Sequence, residues 1–268
     1  MNTQFTVQTI ETADNSCPTR LYRGNRLLSP PPVVLHLHGG GFSVNCTGAG
    51  ERVAKALATA GAVVISPEYS SACLKPFPAA LDAAYDMLTS IRTRYLELAG
   101  KKSMLFIAGE EAGGNLAAGV ALMARDRYLS ELKGQILLSP MLDPCQATAS
   151  FRKYCPQNEV QSIAEGWEKY LGECGGFTHP YAAPAHCSRL SDLVPALIVT
   201  SEECALRDEA QTYAERLQKA GVKVQSRTLP GRAGWIPANK IADGEWSPQE
   251  DVLIGLFSEF FRKAGTKQ

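Results

Sequence analysis

Glu111 lies at the sharpest turn that the sequence predicts, midway between two glycines four residues apart. The stretch 103–123 (SMLFIAGEEAGGNLAAGVALM) indicates a buried strand, a glycine turn and a helix with apolar residues at helical spacing. A strand, turn and helix built on G-x-x-x-G expose the central side chain above the sheet, the position at which a nucleophilic serine can be held. Gly109 and Gly113 keep this spacing, but the central residue is a glutamate.

Strands and helices alternate along the chain on both sides of this turn. Apolar runs predict strands at 5–11, 18–23, 33–38, 62–66, 104–107, 135–139, 196–200 and 222–229. Helices are predicted at 49–60, 77–97, 207–220 and from a capping box at 247–250 to near the C-terminus. The alternation is typical of an α/β fold, with a mostly parallel central sheet covered by helices on both faces.

A segment without this alternation separates the predicted strand at 135–139 from the predicted strand at 196–200. Residues 143–185 carry three cysteines, a Gly-Gly pair and one predicted helix around 160–171. We expect a single domain spanning 1–268, with 143–185 as a cap inserted over the edge of its sheet.

The charge balance argues against nucleic acid or an anionic membrane as a partner, since 27 basic residues match 27 acidic ones. No apolar run approaches the roughly 18 residues of a membrane span. The first 16 residues lack the basic and apolar regions of a signal peptide, so we expect a cytoplasmic protein. The eight cysteines include no C-x-x-C pair, which argues against a zinc site and favours reduced, mostly buried thiols. We predict no cofactor and no metal.

Four segments together resemble the hormone-sensitive-lipase-like carboxylesterases, which have the α/β-hydrolase fold. Residues 38–42 (HGGGF) match the oxyanion motif of that family, and 68–80 resemble its D-Y-R-L-A-P-E-x-x-x-P-A-A segment in outline. Residues 109–115 resemble its G-D-S-A-G-G-N, and 206–209 resemble the end of its D-x-L-R-D-E. The resemblance runs from about residue 33 to the C-terminus and implies an α/β-hydrolase fold.

All three members of the family's catalytic triad are replaced in this sequence. Glu111 stands where the family has its serine, and Cys204 where it has its aspartate. Residues 230–235 (PGRAGW) are one residue shorter than the family's P-G-x-x-H-G-F pattern and contain no histidine. Serine hydrolysis needs a hydroxyl nucleophile, a histidine and an acid that orients it. We therefore predict a protein that is inactive as an ordinary serine esterase.

The resemblance implies that the oxyanion machinery, in contrast, is retained. It would consist of His38, Gly39, Gly40, Gly41 and Ala112. The N–H groups of Gly40, Gly41 and Ala112 would converge on one point at the start of the elbow helix, where negative charge is favoured. The Glu111 carboxylate would fold back into this hole and accept those hydrogen bonds. Such bonding would lower the pKa of Glu111 and leave an internal anion in the site.

Other roles stay open for the residues around the turn. Glu110 is either structural or forms a like-charge pair with Glu111, which would raise one pKa toward that of a general base. Cys204 is either a buried thiol or a reactive one near the cleft, with Cys46 and Cys73 near its rim.

Aromatic side chains give a second set of candidates for the site. They are Phe42, Trp167, Tyr170 and Trp235, and they either line a pocket or pack within the core and cap.

The leading hypothesis is a non-hydrolytic pseudo-esterase that binds a small apolar, acyl or aromatic molecule or acts as a regulatory partner. One alternative is an enzyme, either a weak or unusual ester hydrolase or a lyase- or cyclase-type enzyme with Glu111 as general base. The other is a docking or dimerisation protein, with a homodimer as its form.

Overall fold

Eight strands form one sheet at the centre of the molecule. A computed structural model describes residues 6–10, 18–42, 50–69, 75–172, 176–232, 235 and 248–265. The strands are β1 Thr6–Ile10, β2 Thr19–Arg23, β3 Val33–Leu37, β4 Val63–Pro67, β5 Leu105–Glu110, β6 Leu132–Leu138, β7 Ala196–Ser201 and β8 Val224–Leu229. Their order across the sheet is β1-β2-β4-β3-β5-β6-β7-β8. β2 pairs antiparallel with β1 and β4, whereas all neighbours from β4 to β8 pair in parallel.

Helices cover both faces of this sheet. They are α1 Glu51–Thr59, α2 Ala79–Ala99, α3 Glu111–Asp126, α4 Ala149–Tyr154, α5 Gln157–Leu171, α6 Arg207–Lys219 and α7 Pro248–Gly265. Apolar residues of α2, α3 and α6 form one buried core with one face of the sheet. Those of α1 and α7 form a second core on the other face. The central strands β3 and β5 are buried along their whole length, as expected for parallel strands between two helical layers.

The predicted elements are present, with different bounds at several ends. β6 begins at Leu132, three residues before the predicted strand, because Leu132 and Gly134 pair with Leu105 and Phe106 of β5. Residues 143–185 contain the two helices α4 and α5 where one was predicted, followed by 3₁₀ turns at 176–178 and 184–186. The serine of the predicted capping box, Ser247, lies outside the described residues.

Two glycines allow β5, α3 and β3 to meet closely at the centre of the sheet. A Cβ atom on Gly109 would lie 2.2 Å from the carbonyl oxygen of Gly113, and one on Gly113 would lie 2.0 Å from that of Leu37. Both distances are far shorter than a van der Waals contact, so this backbone packing requires glycine at both positions. Among the described helices, none combines the length and apolar character needed to cross a membrane.

A pair of glycine substitutions tests this close approach. We expect Gly113→Ala to lower the free energy of unfolding by about 3 kcal/mol or more, because the new methyl group would overlap the backbone of β3. Gly255 lies in the middle of α7, where an added Cβ would meet no described atom within 4 Å apart from the backbone of its own helix. Gly255→Ala should therefore raise stability by about 0.5–1 kcal/mol through helix propensity. Urea unfolding curves of the two variants measure both effects, and equal effects would contradict the packing argument.

Candidate functional site

Glu111 is the first residue of α3 and has a strained backbone. Its φ is +54°, in the left-handed region that residues other than glycine seldom adopt. This conformation turns the chain sharply from β5 into the helix and directs the side chain to the carboxyl ends of the central strands. The strain is of the kind that occurs at functional positions, where the surrounding structure holds it in place.

The Glu111 carboxylate lies against the backbone of the loop that follows β3. Its Oε2 accepts a hydrogen bond from the N–H of Gly40 at 3.1 Å, and the N–H of Gly41 also stabilises the carboxylate. A Cβ atom on Gly39 would lie 2.7 Å from the same Oε2, so a larger residue there would displace the carboxylate. Ala112, predicted as a third amide donor, lies buried in the first turn of α3. The structure thus brings Glu111 together with the glycine loop.

The prediction that this bonding lowers the pKa of Glu111 is wrong. Burial among protein atoms raises the pKa to about 7, because desolvation penalises the charged form more than the amides of Gly40 and Gly41 stabilise it. The negative charges of Glu110 and Glu159 raise the pKa further. Glu111 therefore exchanges its proton near neutral pH.

Glu110, the residue before it, is held inside the protein by different partners. Its Oε1 accepts the N–H of Gly39 at 2.9 Å, and its Oε2 lies 2.8 Å from Nε2 of His36 in β3. The other imidazole nitrogen of His36 lies 3.0 Å from the Ser66 hydroxyl. These contacts fit an Nε2–H tautomer that donates to Glu110. With all its bonds used to join β3, β5 and the glycine loop, Glu110 has the geometry of a structural residue.

His38 fixes the start of the glycine loop and does not face Glu111. Its Nδ1 donates to the carbonyl oxygen of Gly39 at 2.8 Å, and its Nε2 lies 3.2 Å from Oε1 of Glu68. The ring stacks on Tyr69 with a centroid distance of 4.5 Å, and the Tyr69 hydroxyl donates to the carbonyl oxygen of His38. His38 therefore supports the loop conformation through contacts on three sides.

Helix α5 crosses directly over the glycine loop. A Cβ atom on Gly166 would lie 2.1 Å from the carbonyl oxygen of Gly41, so the helix and the loop are in backbone contact. Beside this contact, the ring of Phe42 stacks on Tyr170 with a centroid distance of 4.1 Å, and Trp167 lies 5.2 Å from Phe42. The three rings form an aromatic cluster (Phe42, Trp167, Tyr170) beside the glycine loop that bonds Glu111.

Of the two interpretations left open for Trp235, a pocket wall or core packing, the structure supports core packing. Trp235 belongs to the core on the opposite face of the sheet, whereas Phe42 and Trp167 belong to the core beneath α2 and α3. It lies beside Val53 of α1 and Leu253 of α7. The indole is therefore packed on the face of the sheet that α1 and α7 cover.

Cys204 and the two remaining histidines lie apart from Glu111. Cys204 is buried beyond the end of β7, where burial raises the pKa of its thiol and its sulfur accepts the N–H of Leu206. His179 packs against Phe77, and His186 lies 3.1 Å from Asp143. No imidazole is within hydrogen-bond distance of the Glu111 carboxylate in the described part of the chain. Cys46 and Cys73 fall outside the described residues.

Sequence analysis missed two glutamates that shape this end of the sheet. Glu159, in the first turn of α5, adds negative charge near Glu111. Glu209 of α6 accepts the N–H groups of Leu142 and Asp143 at 2.9 and 2.8 Å, and burial raises its pKa to about 8. Glu209 belongs to the segment 206–209 that resembles a family motif, which is the signal that marks it. Glu159 has no such signal, because its position depends on how α5 crosses the loop.

The raised pKa of Glu111 predicts a pH-dependent stability that Glu111→Gln removes. Between pH 4.5, the ordinary pKa of this side chain, and about pH 7, the Glu111 carboxyl group keeps its proton in the folded state but has lost it in the unfolded chain. The free energy of unfolding therefore falls as the pH rises through this range. The loss attributable to Glu111 should be about 1–3 kcal/mol. Urea unfolding at pH 5 and pH 8 should show that the wild type loses this much relative to Glu111→Gln. Glu215→Gln, on the exposed face of α6, should follow the wild type; parallel behaviour of all three proteins would contradict the prediction.

Comparisons with known proteins agree with this geometry. A model of a family described as alpha/beta hydrolase fold matches residues 34–234. Carboxylesterase NlhH of Mycobacterium tuberculosis is 32% identical over 219 residues, covering 80% of this chain and 69% of the relative. The gibberellin receptor GID1A of Arabidopsis thaliana is 31% identical over 207 residues, covering 72% of this chain and 59% of the receptor.

Among solved structures, a hyperthermophilic esterase from Pyrobaculum calidifontis superposes with a TM-score of 0.80 at 30% identity, covering 97% of this chain and 85% of the esterase. The similarity to esterases therefore covers most of the chain, including the glycine loop, the strained elbow and the sheet. This chain belongs to the esterase- and lipase-like family of the α/β-hydrolase fold.

Proposed function

We propose that this chain is a non-hydrolytic member of its family that binds a small neutral acyl or aromatic molecule. The observation that carries the proposal is the Glu111 carboxylate at the amide of Gly40, 3.1 Å away. In a serine esterase, such amides stabilise the oxyanion that forms on the substrate. The Glu111 carboxylate competes for the same amides, so an acyl oxygen must displace it before the amides can bind that oxygen.

The remaining side chains support the same proposal. Ester hydrolysis by this family's mechanism needs a histidine that takes a proton from the nucleophile and returns it to the leaving group. The four histidines of the sequence are His36, His38, His179 and His186, and each has a partner other than Glu111. A carboxylate that attacked an ester would form an anhydride, and in the described part of the chain no imidazole lies within hydrogen-bond distance to direct water to it.

Residues 143–185 would act as the cap of the binding site. The buried aromatic cluster packs beside the glycine loop that holds a carboxyl group titrating near neutral pH, and a ligand would have to enter between these rings and the loop. The negative charges of Glu110 and Glu159 disfavour an anionic ligand, and neutral acyl or aromatic groups suit the rings. A family relative named as a receptor supports the view that this fold can be used for binding.

A second candidate function is proton transfer by Glu111 as a general base. One observation favours it: burial raises the pKa of Glu111 to about 7, which is the range in which a base works best at neutral pH. A lyase- or isomerase-type reaction of this kind needs no covalent nucleophile.

An esterase assay tests the first half of the proposal. With p-nitrophenyl acetate and p-nitrophenyl butyrate, we expect the wild type and Glu111→Ala to release p-nitrophenol at rates within about 2-fold of each other, because neither holds the full triad. Glu111→Ser should give no sustained turnover, since it restores the hydroxyl without the histidine. Turnover in the wild type that disappears in Glu111→Ala would contradict a non-hydrolytic role.

Thermal-shift titrations test the second half. Phenylacetamide and 1-octanol should raise the melting temperature, and phenylacetate should bind at least about 10-fold more weakly at pH 8 because of the carboxylates at the site. Trp167→Ala should remove the shift relative to its own melting temperature. Tyr128→Ala, an exposed aromatic on the opposite end of α3, should keep it. Equal shifts in both variants, or none in the wild type, would contradict binding at the aromatic cluster.

A further inference from the structure

We propose that Asp143, Cys145 and His186 form a binding site for a divalent transition-metal ion of the zinc class. One donor atom from each residue lies within 4.8 Å of the other two. Oδ1 of Asp143 is already 3.1 Å from Nε2 of His186 and accepts the N–H of Cys145 at 2.9 Å. Cys145 and His186 are exposed, so an ion can reach the site from solvent.

The donor types select the class of metal. A thiolate, an imidazole nitrogen and a carboxylate oxygen are the donors that zinc, cobalt and nickel accept, whereas magnesium and calcium prefer oxygen alone. Three protein donors leave a fourth position for water, as in zinc sites that are not closed. On binding, the Cys145 thiol releases its proton to solvent and its sulfur takes the metal. Nε2 of His186, which donates its proton to Oδ1 of Asp143 in the metal-free protein, loses that proton to solvent while Nδ1 takes one up, so that Nε2 offers its lone pair to the metal.

The present geometry needs little contraction. Metal–donor distances of about 2.0–2.3 Å place the donors of a tetrahedral site roughly 3.3–3.8 Å apart. The three donor atoms now lie at most 4.8 Å from one another, about 1 Å more than the upper end of that spacing. A rotation of the exposed Cys145 side chain can supply such a change without movement of the backbone.

Helix α6 holds both halves of the site in place. Its Glu209 accepts the N–H groups of Leu142 and Asp143. Two helical turns later, its Arg216 donates to the carbonyl oxygens of Ala185 and Cys187, on either side of His186. The two loops are also joined directly, because the N–H of Ala185 donates to the carbonyl oxygen of Leu142 at 3.1 Å. Outer contacts of this kind orient metal ligands and contribute to affinity.

Titration of the reduced, metal-free protein with Co²⁺ tests the site directly. We expect one equivalent per chain to give a thiolate-to-cobalt charge-transfer band, and Zn²⁺ to displace it. Cys145→Ser should lose the band, and His186→Gln should bind Co²⁺ at least about 10-fold more weakly. Circular dichroism checks that both variants are folded.

Cys155→Ser provides the matched control, because Cys155 is also a partly accessible free thiol in the described chain but lies outside the cluster. It should keep the band at full intensity. A band that persists in Cys145→Ser, one that disappears in Cys155→Ser, or no band in the wild type would each overturn the proposal. The residues of this site contact neither Glu111 nor the aromatic cluster in the described chain, so the outcome does not depend on the proposed binding function.

Discussion

The hydrogen bond from the Gly40 amide to the Glu111 carboxylate is the interaction around which this site is organised. It exists because the elbow after β5 and the glycine loop after β3 end at the same edge of a parallel sheet, in adjacent strands. The elbow keeps its left-handed first residue and its two glycines, which are the features that support a nucleophile. The consequence is an α/β-hydrolase fold in which a carboxylate at the elbow accepts a hydrogen bond from the glycine loop.

The same physical device occurs three times at this edge of the sheet. Glu110 accepts the amide of Gly39, Glu111 that of Gly40, and Glu209 those of Leu142 and Asp143. Each carboxyl group accepts hydrogen bonds from backbone N–H groups of a loop, which need such acceptors where the chain is packed inside the protein. The cost is desolvation of the carboxylate, which is why the pKa of both Glu111 and Glu209 is raised in spite of the hydrogen bonds. Stability of the loops is thus linked to protonation.

Most of the fold could be predicted from the sequence, because it depends on local patterns. Apolar runs marked the strands, and the spacing of Gly109 and Gly113 marked the elbow, whose close contacts the structure explains. The position of the Glu111 side chain also followed from the motifs around it. The pKa of Glu111 could not be predicted, because its desolvation depends on how α5 covers the glycine loop. The sequence shows the hydrogen-bond donors of the loop but not the helix that packs over it. The choice between pocket and core for Trp235 was open for a related reason, since it depends on packing against α1 and α7.

The cluster of Asp143, Cys145 and His186 was beyond sequence analysis for a different reason. Metal-binding cysteines are recognised by short spacings, and this cluster joins residues 43 positions apart through α6. The most direct test of the central claim is the amide proton shift of Gly40 and Gly41, followed by NMR from pH 5 to pH 9. The account predicts that both shifts titrate with a midpoint near pH 7 in the wild type and stay constant in Glu111→Gln. Shifts that do not titrate, or that titrate equally in the two proteins, would contradict it.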